Sequence, residues 1–259
     1  AGCRAVLSRV PGAAVKPGAK VELGGVYNVR DLGGYAGAGG RLVRRGMLFR
    51  ASSLHRLTDV EAWQEFGAST VIDLRYSRER TAFPLPEFIE DATHVSMLPD
   101  TWVATDEDRD VTPIEFLAWV QQQMLEVGAT TVPSLLRKLS EPEAFPAVFF
   151  CMAGKDRTGF VAAVLLAVLG VSDDDIAQDF ALSGDEVVAL VEWLRTREDF
   201  EQHPMMNQHV DLLRAPRAAM ELFLARVESE YGSLAQWVLT LDIPDNVLAN
   251  LRDRLLEEL

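Results

Sequence analysis

Cys151-Met152-Ala153-Gly154-Lys155-Asp156-Arg157-Thr158-Gly159 sets a thiol and a guanidinium six residues apart across a short polar turn. The apolar run 147–150 before it predicts a buried strand, and the run 160–169 after it predicts a buried helix closed by Gly170. A cysteine at the end of a strand and an arginine at the start of a helix suit attack on a phosphate group. The intervening backbone can converge its N–H groups on one anion, with the helix dipole behind them.

Phosphate-ester cleavage through cysteine makes four demands. Cys151 must react as a thiolate, although a free thiol titrates at about 8.5; clustered amides and a helix N-terminus favour the anion. The charge on the transferring phosphoryl oxygens needs the amides of Met152, Ala153, Gly154 and Lys155 and a bidentate guanidinium, for which Arg157 is suited. The leaving oxygen needs a proton, hence a nearby acid. Thr158 can hydrogen-bond the sulfur as it departs from the phosphocysteine. Gly154 permits tight curvature within the loop, and Gly159 permits close packing of the first helical turn.

The elements that must position this loop read as an α/β core. Short strands are expected near Val26 and over 47–49, flanking the glycine-rich turn 33–40. Thr58-Asp59-Val60-Glu61 has the form of a capping box opening a helix to about Phe66, with Gly67 as its stop. Residues 69–74 predict a strand that brings Asp73 to a sheet edge, where α/β sites gather. The acidic loop 106–110 leads to a helix from about Pro113 to Val127, and Pro133 is expected to begin another, ending near Ser140. Ser172 with three following aspartates predicts a helix start, and apolar spacing predicts helices near 186–197, 217–231, 234–239 and 246–256. The fold class is therefore a central, largely parallel sheet flanked by helices, with extra C-terminal helices. Residues 1–20, rich in Gly, Ala and Pro, read as a loosely held leader, and 21–259 as a single domain.

Composition narrows the partners. Of the net charge of −14, residues 1–130 carry 14 basic and 17 acidic side chains, and 131–259 carry 11 and 22. An acidic surface argues against nucleic-acid binding and requires a phosphate site to be locally basic. Arg41, Arg44, Arg45, Arg50 and Arg56 fall in one stretch without an acid and could supply that charge, or a solvated basic hairpin. The longest apolar run is ten residues, about half a membrane span, so no transmembrane segment is expected. Cys3 and Cys151 read as thiols in a reducing compartment, which implies a cytoplasmic location; export without a recognisable signal peptide is the alternative. His55, His94, His203 and His209 show no metal-ligand spacing, and the chemistry needs neither metal nor cofactor.

Cys-x5-Arg-Thr resembles the signature loop of the protein tyrosine phosphatase superfamily. Its Ala-Gly-Lys-Asp-Arg-Thr-Gly form is similar to bacterial tyrosine phosphatases of the group that includes the secreted mycobacterial protein tyrosine phosphatase B. Asn28-Val29-Arg30-Asp31-Leu32-Gly33-Gly34-Tyr35, Leu48-Phe49-Arg50-Ala51, Leu57-Thr58, Val71-Ile72-Asp73-Leu74-Arg75 and Glu79-Arg80 fit the same pattern. The resemblance implies a cysteine-dependent phosphatase acting on phosphotyrosine, and on phosphoserine, phosphothreonine or phosphoinositides as a wider range. It makes Cys151 the nucleophile and Arg157 the clamp, and it gives Lys155 the task of binding a second phosphate. Asp156 is then the first choice for general acid, with Asp73 and Asp100 as alternatives. Asp31 would shape the loop floor or cap the Gly33-Gly34 turn. A helical lid over the pocket within 184–213, including Met205-Met206, is a further implication. The family's histidine before the nucleophile is replaced by Phe150, which predicts a higher pH optimum. Two rival readings follow: a phosphate-binding pseudophosphatase without turnover, and an arsenate reductase or sulfurtransferase, for which Cys3 is the sole additional cysteine.

Overall fold

The computed structural model describes residues 16–101, 110–197 and 210–258. The first half comprises β1 (Arg30–Asp31), β2 (Leu42–Val43), β3 (Leu48–Ala51), α1 (Val60–Phe66), β4 (Thr70–Asp73), α2 (Ser77–Ala82) and β5 (Ala92–His94). The centre comprises α3 (Pro113–Leu139), β6 (Ala147–Phe150), α4 (Asp156–Val168), α5 (Asp173–Ala181) and α6 (Ser183–Leu194). The chain continues through α7 (Val210–Leu213), α8 (Arg217–Tyr231), α9 (Leu234–Leu239), α10 (Asp245–Leu255) and β7 (Leu256–Glu257).

Strands form where β-branched and aromatic residues run together, and the inner ones are apolar on both faces because helices or loops cover both. The sheet order is β1-β3-β6-β4-β5, parallel except for the edge pair β1–β3. A second, two-stranded antiparallel sheet joins β2 to β7. β6 is the middle strand, with Ala51 of β3 and Asp73 of β4 both level with Phe150. Cys151 therefore leaves the sheet at its centre, on the carboxyl edge.

Alternation along the strands divides the core. Leu48, Ile72 and Phe149 face the cluster built with α3, α4, α5 and the C-terminal helices. Phe49, Val71, Val148 and Phe150 face the opposite cluster with Leu54, Leu57, Phe66 and Ile89. Cys151 belongs to the first cluster and Phe150 to the second.

Several elements depart from the expectations above. Pro113 to Leu139 is one helix, with Pro133 inside it. An internal proline costs about 3 kcal/mol, but Pro133 is buried and α3 packs against α4, α8 and α10, which outweighs the local penalty. The cap of α1 is Asp59, whose side chain accepts from Ala62 N, and not Thr58; a carboxylate is the stronger acceptor at a helix start. Val26 makes a tight turn with Leu23 rather than a strand. The short β5 and α2 carry too few residues to show a period and were not expected. Lys20, at the end of the stretch read as a leader, bridges Arg30 and pairs with Glu186 at 3.0 Å, so those last residues are tied to the fold. The remainder of that stretch (1–15), Cys3, most of the acidic loop, and residues 198–209 with His203, Met205, Met206 and His209 lie outside the described residues.

Candidate active site

Peptide geometry turns the segment after β6 into an anion cradle. In a trans planar peptide, C=O of one residue and N–H of the next point in opposite directions. Outside donors hold four successive loop carbonyls. Met152 O accepts from Ser53 N at 3.2 Å. Ala153 O and Gly154 O accept from Asn28 Nδ2 at 3.2 and 2.9 Å. Gly154 O and Lys155 O accept from Arg50 Nη2 at 2.9 and 3.4 Å. The N–H groups of Ala153, Gly154, Lys155 and Asp156 are thereby sent the other way, and none meets an acceptor among the described residues. They join the open N-terminus of α4, which has no side-chain cap at Lys155. Gly154 has φ +70°, and a Cβ there would lie 2.5 Å from Ala51 O, so this turn requires glycine.

Arg157 enters the cradle with its orientation fixed. Its Nη1 donates to Glu79 Oε2 at 2.6 Å and to Leu74 O at 3.4 Å; its Nη2 donates to Glu79 Oε1 at 3.0 Å. Tyr76 stacks on the guanidinium at 4.4 Å and supplies its own N–H to Glu79 Oε2 at 2.8 Å. Glu79 thus occupies the end of the fork. The side-on edge, Nε–H with the second Nη2–H, is left without a partner among the described residues, and a guanidinium edge of this kind can take two oxygens of one phosphate. Burial alone would push Arg157 down, but Glu79 first and Cys151 next outweigh it and hold the group above its ordinary value.

A buried network lies on the α5 side of the sheet beneath the loop. Arg50, with no exposed side-chain surface, donates through Nη1 to Asp179 Oδ2 at 2.5 Å. Arg30 Nε donates to Asp179 Oδ1 at 2.9 Å, and its Nη2 donates to Asp179 O at 2.7 Å and Ser183 Oγ at 3.0 Å. Arg30 Nη1 also holds Asn28 Oδ1, orienting the amide that grips the loop. Arg50 is pushed down to about 10 by burial and then by Arg30, with Asp179 and Cys151 opposing, so it is charged at neutral pH. Burial pushes Asp179 up, but Arg30 and Arg50 outweigh it and hold the carboxyl below the ordinary range.

The other residues singled out from sequence fall into three groups. Asp156 and Thr158 belong to the cradle: Asp156 Oδ1 lies 3.4 Å from Lys155 Nζ without a hydrogen bond, and Thr158 Oγ1 is buried and unpartnered among the described residues. Lys155 is buried, and its ammonium donates to Leu212 O and, at 3.2 Å, to Arg214 O, so it ties the loop to the α7 segment rather than facing outward for a second phosphate. Asp73 lies near the loop on the other face but is consumed by Arg75, which donates through Nε at 2.9 Å and Nη2 at 2.7 Å. Asp31 and Asp100 serve as caps. Asp31 accepts from Gly33 N and Gly46 N, capping two turns, and is pushed up by burial. Asp100 accepts from Ser77 N at 2.8 Å and caps α2. Phe150 is fully buried, with Arg75 5.4 Å from its ring centre. Of the arginine-rich stretch, Arg50 holds the loop, while Arg41 and Arg44 reach Ala38 O and Leu256 O near β2 and β7. His94 and His55 contact Arg75 O and Ser53 Oγ, and no metal-binding cluster occurs among the described residues. Among the described residues, no helix is long and apolar enough to cross a membrane.

Of Asn28, Arg30, Arg50, Glu79 and Asp179, the sequence suggests a role for Arg50, as one of five arginines able to supply local positive charge, and none for the other four. A signal was present for Asn28, Arg30 and Glu79 as well, since charged or amide residues sat inside short motifs adjoining strands. Asp179 carried none, being one acid among many in an acidic half.

The profile described as tyrosine phosphatase family matches residues 21–257. A protein of Cupriavidus necator named as a tyrosine-protein phosphatase is 34% identical over 197 residues, 70% of each chain. The triple specificity protein phosphatase of Mycobacterium tuberculosis is 28% identical over 283 residues, covering 91% of this chain and 98% of that one. A tyrosine-protein phosphatase of Nostoc commune is 23% identical over 218 residues, covering 80% and 73%. With nearly its whole length matched, the chain belongs to the tyrosine phosphatase family.

Proposed function

We propose that this chain hydrolyses phosphotyrosine through a phosphocysteine intermediate, with Cys151 as nucleophile. The observation that carries the reading is the cradle, with its loop amides turned inward around Cys151 and the side-on edge of Arg157 open. The Cys151 thiolate attacks phosphorus and the bond to the ester oxygen breaks. Asp156 supplies the proton that the leaving oxygen takes up. The amides of Met152 to Asp156 and the fork of Arg157 hold the equatorial oxygens, whose charge spreads during transfer. Water then attacks the phosphocysteine, giving its proton back to Asp156 and releasing inorganic phosphate. Thr158, whose hydroxyl is buried and unspent, hydrogen-bonds the departing sulfur. Asp156 is favoured over Asp73 and Asp100 because those two are engaged by Arg75 and Ser77.

The mycobacterial relative is named for triple specificity, and a similar breadth over phosphoserine, phosphothreonine or phosphoinositides is part of the proposal. The test is phosphate release from phosphotyrosine, phosphoserine, phosphothreonine and phosphoinositide substrates, wild type against Cys151→Ser. Release on phosphotyrosine that disappears in the variant is expected. Binding without release by the wild type would make the chain a phosphate-binding pseudophosphatase instead.

A further inference from the structure

The network under the loop does not balance its charge. Arg30 and Arg50 share a single carboxylate, Asp179, and all three side chains are at most 4% exposed. The other groups touching them are neutral: Asn28, Ser183 and Tyr35. Glu186, which accepts from Asn28 N at 3.1 Å, is already paired with Lys20. Against carboxylates alone, one positive charge is therefore in surplus, and the Cys151 thiolate above it is the other anion that answers it. A buried charge without a partner is costly, and it favours any state that brings an anion close. Arg50 is the member that reaches the loop, gripping Gly154 O and Lys155 O, and its Nε–H is buried without a hydrogen bond.

We propose that Arg50 is a positioning residue of the cradle: clamped by Asp179, it holds the loop carbonyls outward and places beneath the bound oxyanion a positive charge that no second carboxylate balances. Its action is indirect, through the loop peptides and through space. It supplies from below the local positive charge that an acidic chain needs to hold a phosphate. This assignment rests on the phosphatase reading of the loop.

The experiment is tungstate binding, by calorimetry, to the full chain and to Cys151→Ser, Arg50→Met and Arg50→Lys. Circular dichroism and thermal melting establish that each variant is folded. Wild type and Cys151→Ser are expected to bind. Arg50→Met should bind about tenfold more weakly or worse, the loss expected for removing a charged hydrogen-bonding partner. Arg50→Lys, which keeps the charge but not the two-armed reach, should fall between them. A purely structural role would lower the melting temperature and leave affinity alone. Wild-type affinity in folded Arg50→Met overturns the proposal, and should that variant not fold, wild-type affinity in Arg50→Lys does so. Failure of both wild type and Cys151→Ser to bind tungstate would instead sink the reading of the loop as an oxyanion site.

Discussion

The two faces of the sheet treat charge differently beneath the same loop. On the face of Phe150, Arg75 has its own carboxylate in Asp73; beside the loop, Arg157 has Glu79. On the face of α5, two guanidiniums divide one carboxylate. Balanced buried pairs add little net stability, because desolvation offsets their attraction; what they fix is direction. Glu79 turns the fork of Arg157, and Asp73 pins Arg75 across the end of β4. The unbalanced trio fixes direction as well, but it also leaves a charge to be answered. One side orients the site, and the other makes it seek an anion.

Removing the shared carboxylate is the most drastic way to break this contrast. Asp179→Asn leaves two buried arginines without an anion, and a loss of about 3–5 kcal/mol in unfolding free energy is expected. The sign of its pH dependence follows from the folded carboxyl lying below its ordinary value of 3.8, held there by Arg30 and Arg50 against burial. That stabilisation is present above the unfolded value and is lost as pH falls through the folded one. Wild type should therefore weaken in acid below about pH 4, and Asp179→Asn should show a flatter acid limb in denaturant titrations. An unchanged acid limb would mean that other carboxylates set it.

On the orienting side, Arg157→Lys keeps the charge and loses the fork. Turnover of a phosphotyrosine substrate should fall by about 10²–10³, with the melting temperature less affected than in Asp179→Asn. Steady-state kinetics decide it: a loss confined to KM would mean that the side-on edge binds substrate and transition state alike. A smaller effect is expected from Gly154→Ala, which touches neither carboxylate. The left-handed φ and the Ala51 carbonyl at 2.5 Å should cost about 1–3 kcal/mol, and activity should drop as the loop peptides reorient. Wild-type activity and stability in that variant would remove the close approach as a constraint on the loop.

The contrast also shows how far the sequence could be read. The apolar runs around Cys151 announced a strand and a helix because both are buried on all sides, and the loop between them displayed its chemistry through residue type. Arg50 and Asp179 are 129 positions apart, and nothing local links a strand arginine to a helix aspartate. Asp73 illustrates the opposite error. Its place at a strand end suggested a site, while the partner that consumes it stands two residues on. Lys155 looked available because loop lysines usually are; the carbonyls that hold it lie 57 and 59 residues away, beyond the reach of any local pattern. The uninterrupted α3 is a third case, where packing against three helices overrode Pro133.

Phe150→His restores the residue that the family carries at this position and should have the smallest effect of the four. The side chain points to the face opposite Cys151, inside an apolar cluster. Exchanging a buried phenyl for an imidazole there should cost about 1–2 kcal/mol of stability. Arg75, 5.4 Å from the ring centre, would oppose protonation of the new imidazole, so the substitution adds a hydrogen-bonding group but no charge. The acid limb of the kcat/KM profile is accordingly expected to move by less than about one pH unit. A larger downward movement would mean that the site is limited by its missing histidine, and that the surplus charge beneath the loop does not take over that task.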